Sequence, residues 1–159
     1  MDAATWWLAA SVAFAGVGSG LLALITMILH PMMRAQDGPT FARQLAMLVP
    51  PSRHAPVKYV CGIGLVIAPA GALAAMNAAG DRSTAFLLTA IGLAADSVGL
   101  LVAYLFAEPN YDRMLAWDPE RMPEVWQAAR SRYFALNWTH AVLTWSAFGL
   151  FIAALVRRA

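Results

Sequence analysis

Charge is scarce in this chain. Asp, Glu, Lys and Arg make up 13% of its 159 residues, about half the share usual in soluble domains. The first long apolar run, Thr5 to Leu29, contains no charged residue. With 60% of the residues hydrophobic, a water-soluble fold is excluded, because a domain this small cannot hide that much apolar surface. Cysteine is nearly absent as well. Cys61 stands alone, which excludes an internal disulfide and a thiolate metal cluster, and no metal site is expected. There is no basic run interleaved with aromatics, so nucleic acid is not an expected partner. A basic flank is missing ahead of the first apolar run, where Asp2 is the only charge, so that run is expected to be a retained span and not a cleaved signal.

What the chain does have is four charge-poor blocks, about 5–29, 57–79, 84–106 and 133–156. Each is close to the ~20 residues a helix needs to cross hydrocarbon. The expected fold is therefore all-α: an integral membrane antiparallel four-helix bundle forming one domain over 1–159. Arg34, Arg43, Arg53 and Lys58 surround the first loop, and Arg113, Arg121, Arg130 and Arg132 the third, which gathers eight of the eleven basic residues on one side. That side is expected to be cytoplasmic in a cell inner membrane, with both termini external.

Trp6 and Trp7 open the first span as an interfacial anchor. Gly16 and Gly20 have the small-xxx-small spacing that lets helices approach closely, either in a homo-oligomer or within the chain's own bundle. The first span is expected to end in a turn at His30-Pro31. Pro39 then starts a short interfacial helix with Phe41, Leu45 and Leu48 on one side and Arg43 and Gln44 toward the other, ending at Pro50-Pro51. Pro69 should bend the second span, and Gly80-Asp81-Arg82 should form a tight external turn. Glu108 to Met122 reads as a loop, and Met122-Pro123-Glu124 as the start of a last helix that runs unbroken beyond the membrane's thickness.

Asp96 is the outlier, a carboxylate near the middle of the third span, and it should face the bundle interior. His140, in the fourth span, differs from it in depth by only roughly one helical turn, so a carboxylate–imidazole pair is expected. Asn137, His140 and Thr144 share one face of the last helix, and Ser97 and Tyr104 share a face of the third. His30, Lys58, Tyr59, Glu108 and Asn110 fall at the same end and would line the mouth of the polar seam. As a site, the seam would hold a lipophilic small molecule, with Asp96 orienting His140 as a proton-abstracting base. As structure, the same residues would be interhelical hydrogen bonds of about 0.6 kcal/mol each. His30 and His140 could alternatively ligate a haem b.

Pro109-Asn110-Tyr111-Asp112-Arg113, Trp117-Asp118-Pro119 with Trp126, and Leu136-Asn137-Trp138 ahead of an apolar last helix form a pattern. With the glycines of the first span and Pro31, it resembles the DUF1772, or anthrone oxygenase-like, membrane proteins over nearly the whole chain. The resemblance implies a four-helix membrane fold. It also implies the activity assigned to some fungal members, oxygenation of an anthrone to an anthraquinone with no metal or organic cofactor. His140 departs from the pattern, since members often carry arginine there, so its role rests on its chemistry alone. In that reading His140 is the catalytic base, Asp96 its orienting group, and Asn137 with Asn110 would stabilise the anion, while Tyr104, Thr144, His30 and Tyr59 contact the substrate. The alternative is a non-catalytic protein that binds a lipophilic molecule or haem, or that assists a partner membrane complex.

Overall fold

The computed structural model describes residues 2–158, and among them every regular element is helical. There are five rods: α1 (Ala3–Arg34), α2 (Gly38–Arg53), α3 (Pro56–Ala78), α4 (Thr84–Leu115) and α5 (Trp126–Val156). All except α2 are long and apolar enough to cross a membrane. Their outward faces carry large apolar side chains, among them Met27, Ile63, Ile67, Leu87, Leu101 and Leu105. Apolar residues outside as well as inside suit lipid and not water.

Local chemistry explains most helix ends. Asp2 caps α1 by accepting from the Thr5 N–H at 2.8 Å and the Thr5 hydroxyl at 2.7 Å. Those bonds, with Arg158 beside them, hold its carboxyl down at about 2. Asp37 caps α2 in the same way through Thr40 at 2.9 Å. Gly80, at φ +69°, ends α3. Its left-handed conformation lets the Asp81 N–H reach back to Met76 O at 2.9 Å. The turn expected at Gly80-Asp81-Arg82 is therefore present.

Two prolines are absorbed where turns were expected. Proline brings no N–H, and its ring collides with the carbonyl four residues back. Ahead of Pro31 the chain makes π-helical turns over Leu24–Leu29, and ahead of Pro109 over Ala103–Ala107. The His30 N–H bonds Ile25 O and the Glu108 N–H bonds Ala103 O, each five residues back. This wider winding moves the obstructing carbonyl aside. Hence α1 passes through His30-Pro31 to Arg34, and α4 passes through Pro109 to Leu115. The third loop begins at Ala116, not Glu108. The last helix begins at Trp126, because Pro123 O first closes a turn onto the Trp126 N–H at 3.1 Å. From there it is the single long rod expected.

α2 lies where a short helix was expected, but it runs through Pro50-Pro51 to Arg53. The carbonyls that lose donors belong to Ala46 and Met47, both on the exposed side. Its buried face is Phe41, Leu45 and Val49, with Leu48 turned outward. That face is covered by Met33, Met114, Tyr133 and Phe134 from the long helices, so it meets protein.

In the bundle α1 lies beside α3 and α5, and α4 also lies beside α3 and α5. Close approach comes from aromatic rings seated over glycines. A Cβ on Gly71 would lie 2.6 Å from Trp7, on Gly64 2.4 Å from Phe14, and on Gly92 2.5 Å from Phe151. Gly16 is packed under Phe148, whereas Gly20 meets nothing within 4 Å. Buried residues form three layers, one around Leu8 and Met76, one around Leu65 and Phe151, and one under α2. Beyond the first layer, Arg158 pairs with Asp2 at 2.8 Å and with Asp81, joining α5 to the start of α1 and the α3–α4 turn.

Gly92→Ala should lower the melting temperature in detergent, because the buried Phe151 ring cannot yield to a methyl group and overpacking costs about 1–3 kcal/mol. Gly20→Ala should raise it slightly, since the methyl enters open space and the helix gains roughly 0.5–1 kcal/mol. Circular dichroism melts of both variants check the pair.

Candidate functional site

Between the middle layer and the layer under α2, the bundle opens into a cavity of about 390 Å³. Both π-helical turns border it, through Ile25 on α1 and Ala103, Tyr104 and Ala107 on α4. Gly18 and Gly62 contribute walls without side chains. The body of the cavity is apolar, with Leu22, Ile25, Leu65 and Leu100 prominent, and Cys61 also reaches it. Its polar groups include Arg53, Lys58, Glu108, Tyr111, Asn137 and His140.

Charge is concentrated at the mouth. Glu108 accepts from Arg53 Nε at 2.8 Å and from Lys58 Nζ at 2.7 Å, and Arg53 also reaches Asp112 at 2.7 Å. One carboxylate thus joins the end of α2, the start of α3 and the π-wound part of α4. Burial tends to lower the Arg53 pKa, but the bonds to Asp112 and Glu108 outweigh it and raise the pKa above its usual value. Asp112 is mostly exposed, so its share of the network is small.

Deeper in, the Tyr111 hydroxyl donates to Asn137 Oδ1 at 3.1 Å, and Asn137 Nδ2 donates to Tyr133 O at 2.9 Å. The amide is thereby oriented at both ends. His140 lies against Gly99, where an added Cβ would come within 3.0 Å of its ring. Its Nε2 is buried without a hydrogen-bond partner.

Asp96 is fully buried and faces inward, as its charge requires, but it is not paired with His140. Neither of its oxygens has a hydrogen-bond partner, and the same holds for Thr144 Oγ1, toward which it is set. The physical reason is the spacing of α4. Gly99 makes the gap into which the imidazole fits, one turn beyond Asp96, and Asp96 is left opposite Thr144. Neither Asp96 nor Thr144 lines the cavity.

The other predicted residues separate into two groups. His140, Asn137, Tyr104, Lys58 and Glu108 come together around the cavity. Asn110, Tyr59 and His30 do not. Asn110 donates to Ala129 O at 3.3 Å and fastens α4 to α5. Tyr59 faces an outer groove between α3 and α4. His30 lies among Tyr133 and Phe134 and lines a different cavity, so it and His140 do not form a two-imidazole haem site. Among the described residues no three His, Cys, Asp or Glu side chains are placed to hold a metal ion.

Sequence reasoning missed Arg53 and Tyr111 as cavity residues. Tyr111 reads as a loop residue because Glu108 to Met122 is dense in Pro, Asn, Asp, Arg and Trp. The Gly92, Asp96, Gly99 spacing on α4 was a visible signal for the α5 contact. In comparisons with protein-family models, curated proteins and solved structures, none matches this chain.

Glu108→Gln should destabilise the protein by about 1.5–3 kcal/mol, since two cations lose a charge-assisted acceptor. Asp112→Asn should change the melt little. Asp96→Asn should leave stability unchanged or raise it, because the carboxylate it removes is buried and unpartnered. Thermal melts in detergent separate the three.

Proposed function

We propose that this chain is a multi-pass protein of a cell inner membrane whose cavity takes up one lipophilic small molecule. In this reading the four long helices cross the bilayer as an antiparallel bundle, α2 lies at the cytoplasmic surface, and both termini are external. Support for the topology comes from the pairing of Trp7 with Gly71 and of Phe14 with Gly64, which advance in opposite directions along α1 and α3. The Lys and Arg of the first and third loops set the orientation.

The observation that carries the binding reading is the combination of apolar walls with the unpartnered His140 Nε2. A ligand would place its apolar body among Leu22, Ile25, Leu65 and Leu100. Its polar end would sit at Tyr111, Asn137 and His140, next to the Arg53–Glu108–Lys58 network.

A catalytic reading follows from the same imidazole and from the resemblance to anthrone oxygenase-like proteins. His140, whose Nε2 has no hydrogen-bond partner, takes a proton from an activated CH₂ of an electron-rich aromatic. The carbanion then transfers an electron to dioxygen, the two radicals combine to a peroxide anion that takes the proton back from His140, and loss of water from the resulting hydroperoxide leaves the carbonyl. One CH₂ and one O₂ become one C=O and one H₂O, with no protein redox group consumed. Asp96 does not orient the base in this scheme, because it is turned to Thr144.

Anthrone should raise the melting temperature of the detergent-purified protein. Gly62→Phe should abolish that rise, since Gly62 forms part of the cavity wall and a Cβ added there meets no neighbour within 4 Å. An equal rise in the variant would sink the binding site. Oxygen uptake on anthrone that vanishes in His140→Ala supports catalysis; uptake no faster than in buffer for the natural chain removes the reaction and leaves binding. An absorption spectrum in air and after reduction accompanies the assay, and a Soret band would replace both readings with haem binding.

A further inference from the structure

A further opening lies on the other side of α5 and shares no residue with the ligand cavity. It is a groove of about 430 Å³ lined by Thr26, His30, Pro31, Arg34, Ala35 and Trp138. We propose that it is a binding site for the phosphodiester headgroup of an anionic membrane lipid.

The first observation is His30. Its side chain is 1% exposed, wedged 5.2 Å from the Tyr133 ring and 4.6 Å from the Phe134 ring, and neither ring nitrogen has a hydrogen-bond partner. An imbalance of this kind is costly in a closed protein and is relieved when a polar ligand reaches the ring. The neighbouring Thr26 hydroxyl gives its proton to Leu22 O at 2.7 Å and makes no bond to His30.

The second observation is Arg34, one turn further along α1. Its guanidinium lies over Phe134 at 5.3 Å. Among the described residues the ion pairs use Arg43, Arg53, Lys58 and Arg158, and none uses Arg34. A planar cation with free donors fits a phosphate diester in a two-pronged geometry.

The surroundings select a lipid as the source of that phosphate. Met27, Ile28 and Met32 are exposed on the same stretch of α1, a helix apolar enough to cross a membrane. Trp138 supplies an indole of the kind enriched at headgroup depth. A lipid seated here puts its phosphate on Arg34 and His30 and its acyl chains along the apolar flank. The assignment depends on the membrane placement and not on the ligand cavity.

Native mass spectrometry of the protein reconstituted in nanodiscs of mixed phosphatidylcholine and phosphatidylglycerol tests it. The natural chain should retain one phosphatidylglycerol in preference to phosphatidylcholine. Arg34→Gln should reduce retention by roughly tenfold, as expected for loss of a charge-assisted contact. His30→Phe keeps the aromatic packing and should also reduce it, while Arg121→Gln in the third loop should not. Equal retention by Arg34→Gln and the natural chain overturns the proposal. So does displacement of the lipid by millimolar inorganic phosphate, which would mark a simple anion site.

Discussion

A backbone in hydrocarbon has no water to turn to, so each of its N–H and C=O groups must be satisfied inside the protein. Toward the ends of the apolar spans, ahead of Pro31 and Pro109, the chain meets that constraint by winding more widely over Leu24–Leu29 and Ala103–Ala107, and the helices continue. The same widened turns border the cavity, so the answer to a backbone problem also shapes the bundle's interior. Bulges of this kind recur at functional sites for the same reason.

Lipid also removes the hydrophobic drive for helix association, and shape must replace it. In this molecule shape means rings over glycines: Trp7 on Gly71, Phe14 on Gly64, Phe151 on Gly92 and His140 on Gly99. Three of these contacts are apolar and hold the bundle. The fourth brings an imidazole into the same kind of notch, and there the packing device carries chemistry. Polar bonds are placed mainly at the two ends, where Glu108 gathers two cations and Arg158 gathers two carboxylates.

The four long helices were legible in the sequence because the cost of charge in lipid writes itself directly into composition. The inward setting of Asp96 followed from the same cost. Helix ends near proline were not legible: Pro31 reads as a stop, and the polar, proline-containing stretch from Glu108 reads as a loop, unless the wider winding before each proline is foreseen. The second reading puts Tyr111 in a loop and hides its contact with Asn137. The Asp96–His140 pair was inferred from depth alone, whereas the outcome depended on rotation about the helix axis and on the gap at Gly99. His30 and His140 pair as haem ligands only on the chemistry of the imidazole, and the fold sets them in different cavities.

At the end where Arg158 draws together Asp2 and Asp81, the bundle is sealed twice, by that electrostatic knot and by the packed layer around Leu8 and Met76 beneath it. The cavity lies toward the opposite end, beside α2. The two ends of the bundle are thus unlike, one closed by charge and close packing and the other hollowed out beneath α2.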